Sequence, residues 1–324
     1  MKLLFLQILA LLFLALSSCQ KEDEQEPELN DSGHPRILLA EGEEAQIRDL
    51  IESDETWQKM HFSILEKSNS LLSKPVLERE MVGRRLLGTS REALKRIFYL
   101  SYSFRMTEDE KFLKKAEDEM LAVSRFSDWN PSHFLDVAEM TMAVAIGYDW
   151  LFDHLSDRTI MEARSAILLK GIEESRKGNH WWLTTSNNWN QVCNAGMVYG
   201  ALAIQEDYPD LAEEIIDRAF QSIPIAMEEY QPDGVYPEGY GYWGYGTTFN
   251  VLFLSAVEKT LVDDRGLSST EGFIETSHFL KHMITPTGGN FTWSDCSPGT
   301  NLKPAMFWFA QKTGNPSVLW SEKR

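Results

Sequence analysis

Between Pro232 and Gly246 the chain reads Pro-Asp-Gly-Val-Tyr-Pro-Glu-Gly-Tyr-Gly-Tyr-Trp-Gly-Tyr-Gly. Four tyrosines (Tyr236, Tyr240, Tyr242, Tyr245) and two carboxylates (Asp233, Glu238) share this short stretch. Tyrosine offers a flat face that suits a sugar ring and a hydroxyl that can carry a proton. Glycine lets backbone come close to a ligand. The stretch is expected to be a loop between two helical patterns, where reactive groups are often mounted. A second polar cluster lies upstream, Ser186-Asn187-Asn188-Trp189-Asn190-Gln191. Together the two clusters suggest a carbohydrate site that moves protons without a metal. Around them stand His133, before one helical run, and His180, before Trp181-Trp182. Arg84 and Arg85 precede another helical run and could meet anionic groups. Each of these residues also has a plain structural reading: Asn187 or Asn188 as a helix cap, the histidines and tryptophans as packing, the arginines as solvated charge.

The elements that must hold these residues are helical. After residue 34 a pattern recurs at about fifty residues, within the range of repeat architectures. An apolar helix is followed by a polar turn and a more charged helix, over Ala93–Ser124, Asp136–Ser175, Asn190–Tyr230 and Thr247–Ile284, with a fifth unit opening at Lys303. Helices apolar all round are buried, and amphipathic ones face water. The expected fold is all-α, an incomplete (α/α) toroid of helical hairpins with Gly/Tyr/Asn-rich loops at one rim. An open helical solenoid is the rival, disfavoured by the divergence of the units and the long loops. Only Gly289–Ser294 hints at a short hairpin.

Composition narrows the partners. With 31 basic and 49 acidic residues the net charge is -18, which argues against nucleic acid. An acidic substrate would have to meet a local basic pocket. Residues 1–19 read as a signal segment: Lys2, an apolar run from Leu3 to Leu16, and Leu-Ser-Ser-Cys ending at Cys19, similar to a bacterial lipobox. Cys19 is then the lipidation site and membrane anchor. Residues 20–33 are acidic and lack apolar pattern, as a flexible tether does. Lys21-Glu22-Asp23-Glu24 resembles the surface-export signal of Bacteroidetes lipoproteins, which implies an outer-membrane location. Residues 34–324 form the folded domain. Cys193 and Cys296 fit no zinc spacing, and a bridge between them stays open; no cofactor is expected.

Four segments in order resemble the heparinase II/III-type polysaccharide lyases. They are His34-Pro35-Arg36-Ile37-Leu38-Leu39, Ala138 through Asp149-Trp150-Leu151, Asn187-Asn188-Trp189-Asn190, and Asp233-Gly234 through Glu238-Gly239 to Tyr242. The resemblance implies β-elimination on a uronic-acid polysaccharide. Asn188 would neutralise the C5 carboxylate, and Tyr242 would serve as base and acid. His133, His180, Trp189, Glu238, Tyr240, Tyr245 and Arg85 would contact substrate. Where some members carry a histidine after the asparagine, this chain has Trp189, which shifts weight to tyrosine. The family also joins its toroid to a C-terminal β-sandwich. The sequence stops at Arg324 without a β-rich region, so either it is a truncated or fragment sequence or the chain needs a partner that supplies the missing β-sandwich domain. Two other functions stay open. A glycoside hydrolase would use two carboxylates from Asp136, Glu139, Asp233, Glu238 and Asp295. A surface lipoprotein that only binds glycans would need no catalysis.

Overall fold

The structure, a computed structural model, describes residues 33–261 and 263–322. The expectations for the signal segment, for lipidation at Cys19 and for nearly all of the tether therefore lie outside the described residues. The chain is all-helical: among the described residues there is no strand, only isolated bridges at Val82–Arg85 and Ile284–Asn290. The hairpin hinted at near Gly289 reduces to the second of these.

Helices α1 (Glu43–Ser53) and α2 (Glu55–Leu71) lead into three hairpins. The first pairs α3 (Leu87–Thr107) with α4 (Glu110–Ser124). The second pairs α5 (Phe134–Leu151) with α6 (Asp157–Ala166), which continues through a π-helical turn, Ile167–Ile172, into α7 (Glu173–Arg176). The third pairs α8 (Asn188–Ala203) with α9 (Pro209–Met227). Then follow α10 (Gly239–Thr260), α11 (Thr276–His282) and α12 (Ala305–Thr313). The predicted fourth unit thus opens eight residues earlier than its periodicity, at Gly239 rather than Thr247.

Helices α3, α5, α8 and α10 lie side by side and run the same way. Leu86 and Ser90, at the start of α3, hydrogen-bond Asp136 at the start of α5, and deeper down Ile97 reaches Gly147. Helix α8 meets α5 at Gly196–Ala138 and, one turn on, at Gly200–Thr141. Helix α10 meets α8 first at Gly246–Gln191 and then through the Tyr199 hydroxyl, which donates to the Leu252 carbonyl at 3.0 Å. All eighteen residues of α5 are buried, as a mid-layer helix requires. The return helix α9 shows the opposite pattern. It buries Ala212, Ile215, Ile216, Ala219, Phe220 and Ile223, the one-sided spacing of a helix with a wet face.

The C-terminal ends of the parallel helices are covered by residues 34–39. Asp149, near the end of α5 and fully buried, accepts from His34 Nδ1 at 2.7 Å and from the backbone amides of Arg36 and Ile37. Trp150 Nε1 donates to the Ile37 carbonyl at 2.7 Å, and Lys259 of α10 donates to that of Leu38 at 2.6 Å. A cavity of about 570 Å³ lies beside this cover, lined among others by His34, Arg48, Arg105 and Asp149. The N-terminal ends face the other way and carry the residues singled out above.

Candidate functional site

The N-terminus of α8 is built by three asparagines with three different tasks. Asn187 caps the helix, its side chain accepting from the Trp189 amide at 3.1 Å. Asn190 is fully buried and donates to the Ser222 carbonyl and hydroxyl, tying α8 to α9. Asn188 turns to α10. Its backbone amide, one of the donors a helix start leaves unpaired, goes to Glu238 Oε2 at 2.8 Å. Its Nδ2 goes to Glu238 Oε1 at 2.9 Å. Glu238 also accepts from the Tyr236 hydroxyl at 2.9 Å. Asn188 Oδ1 is buried and has no partner among the described residues. An orphan acceptor of this kind costs about 1–3 kcal/mol unless a donor fills it.

Helix α10 begins inside the stretch expected to be a loop. Its first residue, Gly239, has φ 74° and backs onto the Trp293 carbonyl, where a Cβ would lie 2.8 Å away. At Gly246 a Cβ would stand 2.3 Å from Gln191 Oε1. Glycine usually weakens a helix interior; here it admits neighbouring elements at backbone distance, and the packing overrides the propensity. Asp233-Gly234 does form the expected turn, with the Gly234 amide donating to the Tyr230 carbonyl at 2.7 Å.

Winding 239–246 into a helix separates the tyrosines. Tyr240 is buried and bonds Asn301, with Lys303 4.3 Å above its ring; burial raises its phenol. Tyr245 points across to α5 and donates to Glu139. Arg91 of α3 completes this tie, its Nε 3.0 Å from Glu139 Oε1 and its guanidinium 4.8 Å above the Tyr245 ring. Burial raises both the Glu139 carboxyl and the Tyr245 phenol, so Tyr245 keeps its proton and acts as a donor. Tyr242, one turn nearer the end of α10, is half-buried; its hydroxyl has no partner among the described residues and stays open to solvent.

His133 occupies the N-cap position of α5. Its Nδ1 lies 2.6 Å from Asp136 Oδ1, and its ring meets Trp189 edge-on at 4.8 Å. The other oxygen of Asp136 accepts from the Leu86 amide and from Asn130 Nδ2, each at 2.6 Å. Trp189 also packs on the exposed Trp181, 4.8 Å away, while Trp182 is sealed in the core. Arg85 and Arg84 are exposed at the start of α3. His180 is not brought to this group. Its Nε2 pairs with the Glu174 carbonyl at 3.0 Å, and its ring packs on Phe134 and Trp182, so its role is to hold the loop before α8. Tyr240 likewise faces the 296–303 segment. Cys193 is buried in α8 and Cys296 sits against Gly241, both as free thiols.

The starts of four parallel helices thus carry Arg85, His133, Asn188, Trp189, Glu238 and Tyr242, and further along them Arg91, Glu139 and Tyr245 tie α3, α5 and α10 together. Helix starts favour negative charge, and Arg84 and Arg85 are exposed ahead of α3. Arg91 belongs to no sequence motif; it stands 48 residues before Glu139, close to one repeat. No protein-family model matches the chain, and no curated protein matches it.

Proposed function

We propose that the chain is a polysaccharide lyase acting on an acidic, uronic-acid-containing polysaccharide by β-elimination, its hairpins forming an incomplete α/α toroid. The observation that carries this reading is the polar group at the starts of α5, α8 and α10: Asn188 tied through its Nδ2 to Glu238, and His133 tied to Asp136 and packed edge-on against Trp189. In β-elimination the C5 proton becomes acidic enough to leave only when the adjacent carboxylate charge is neutralised. Asn188 Nδ2 is committed to Glu238 and Oδ1 is sealed from solvent, so Asn188 meets a uronate carboxyl only once binding uncovers Oδ1. Oδ1 is an acceptor, so a uronate carboxyl bound there brings its own proton, and the neutral acid is the form that acidifies C5. Tyr242 delivers a proton to the O4 leaving group. Arg85 and Arg91 meet neighbouring anionic groups, and Trp181 and Trp189 offer faces to the sugar rings. The same proposal keeps the protein at the outer membrane, anchored through a lipid at Cys19. No described helix is long and apolar enough to cross a membrane.

The test incubates the protein with uronic-acid polysaccharides and follows the conjugated, ultraviolet-absorbing unsaturated uronate alongside new reducing ends. Chromophore and reducing ends should appear together, and Tyr242→Phe should lower turnover roughly 10²–10⁴-fold. Reducing ends without chromophore would replace the lyase by a hydrolase.

A further inference from the structure

The segment from Asn290 to Lys303 lies as a strap along the first turns of α10. Trp293 meets Gly239, its carbonyl oxygen 2.8 Å and its Cδ1 3.0 Å from where a Cβ would stand. Cys296 Sγ lies 3.3 Å from the same point on Gly241, and the Lys303 side chain covers Gly244. Between them the Tyr240 hydroxyl donates to the Asn301 carbonyl at 3.2 Å. The glycines that open α10 are therefore the bed of this strap; a side chain at Gly239 would strike its backbone. The strap is also tied to itself. Asn290 Nδ2 donates to the Ser297 carbonyl at 3.1 Å, and Asn290 Oδ1 accepts from the Gly299 amide at 2.7 Å.

At the start of α10 the strap presents an indole. Trp293 Nε1 donates to the Pro237 carbonyl at 3.0 Å, so the ring is held both there and against Gly239. Even so, 56% of Trp293 stays exposed, whereas Trp182 and Trp243 are sealed in the core. A rigid aromatic ring with its polar tip satisfied and its surface left in water has the form of a recognition group. Its place is also specific. Pro237 and Gly239 flank Glu238, which holds Asn188. Trp189, the next residue of α8, packs on the exposed Trp181. An unbroken run of contacts thus joins two exposed indoles, with Asn188 and Glu238 between them.

Resting on the lyase reading, we propose that Trp293 is a separate sugar-binding position, its ring stacking on a pyranose further along the chain than the uronate at Asn188. The ligand class is then a glycan of several sugars rather than a single uronate. Stacking reads the apolar face of a sugar ring and not its charge. It therefore adds affinity for an acidic chain on a protein whose net charge of -18 opposes one.

The experiment measures cleavage of alginate and of heparan sulfate, and of size-fractionated oligosaccharides of whichever is cleaved. It compares wild type with Trp293→Ala and Trp293→Phe; Trp57→Ala, at an exposed position of α2, is the control. Thermal melts confirm that each variant is folded, and Trp293→Leu replaces Trp293→Ala should that one not fold. Trp293→Ala should raise KM for long chains about fivefold or more with kcat within about twofold, and the rise should fade for the shortest oligosaccharide cleaved. Trp293→Phe keeps a ring but loses the N–H that ties the strap to Pro237, and its KM should stay within about twofold of wild type. A Trp293→Ala protein with wild-type KM at every chain length would overturn the inference. So would a Trp293→Phe protein as impaired as Trp293→Ala, because the tie and not the ring would then matter. Both results leave the lyase reading standing. If neither polymer yields unsaturated product, the lyase reading falls, and electrophoresis through gels containing each polymer decides the inference. Retardation of wild type that Trp293→Ala loses would uphold it; equal mobility would overturn it as well.

Discussion

At the scale of single residues, Glu238 governs more of the site than its place in a Glu-Gly turn suggests. It stands just ahead of α10, yet it caps α8, giving partners to the Asn188 amide and side chain and to Tyr236. Removing it takes the carboxylate from three donors, all on the buried residues Asn188 and Tyr236. Glu238→Ala is expected to destabilise the protein by about 1–3 kcal/mol, read as a shift in the urea midpoint. Glu238→Gln should be milder, because its carbonyl oxygen still accepts from two of the donors. The same variants should raise KM for an acidic glycan, since Asn188 loses its orientation. Equal KM values would mean that Asn188 Oδ1 does not meet substrate. Adjacent asparagines could divide capping from binding, and that much was legible; the direction of Asn188, toward a carboxylate rather than an open cleft, was not. It depends on a partner fifty residues away.

At the scale of elements, that distance is itself the signal. Leu86–Asp136 and Asn188–Glu238 are each fifty residues apart, and Arg91–Glu139 is 48 apart. A helical-hairpin repeat of about fifty residues sets equivalent positions of successive parallel helices side by side, so the period in the sequence already encodes the neighbours across α3, α5, α8 and α10. The helical content, the hairpins and the polar cluster before α8 follow from local pattern. The helix over Gly239–Gly246 does not, because local propensity opposes it and only the approach of other elements favours it. Two glycine substitutions separate these effects. Gly246→Ala adds a Cβ 2.3 Å from Gln191 Oε1 and 3.0 Å from the Asn188 Cβ; overpacking of this kind costs about 1–3 kcal/mol. Gly88→Ala, in the first turn of α3 with nothing within 4 Å, should stabilise by about 0.5 kcal/mol. Thermal melts of the two variants should move in opposite directions. A Gly246→Ala protein as stable as wild type would show that α8 and α10 pack more loosely than described.

At the scale of the whole molecule, the two ends of the helix layer carry different loads. One end is open and presents the candidate site; the other is closed by residues 34–39. Two of the segments that carried the family resemblance meet there, through His34, Arg36 and Ile37 on Asp149 and through Trp150 on Ile37. Those residues therefore work for stability rather than chemistry. Both ring nitrogens of His34 face carboxylates, Asp149 at 2.7 Å and Glu206 at 2.9 Å, so only the imidazolium satisfies both bonds. Burial works against that charge, but the hydrogen bonds to Asp149 and Glu206 outweigh it and raise the His34 pKa above its ordinary 6.5. The sign follows from linkage: a group whose pKa is higher folded than unfolded stabilises fully below the unfolded value, near 6.5, and loses that contribution as pH rises through the folded value. Thermal stability is therefore expected to decline from about pH 6 upward, and His34→Asn should flatten that slope. Asp149→Ala should be far more severe, about 3–5 kcal/mol, because it leaves a buried imidazolium and two backbone amides without their acceptor. Melts of wild type and His34→Asn at pH 6 and pH 9 decide the point, since equal slopes would mean that folding does not raise the His34 pKa.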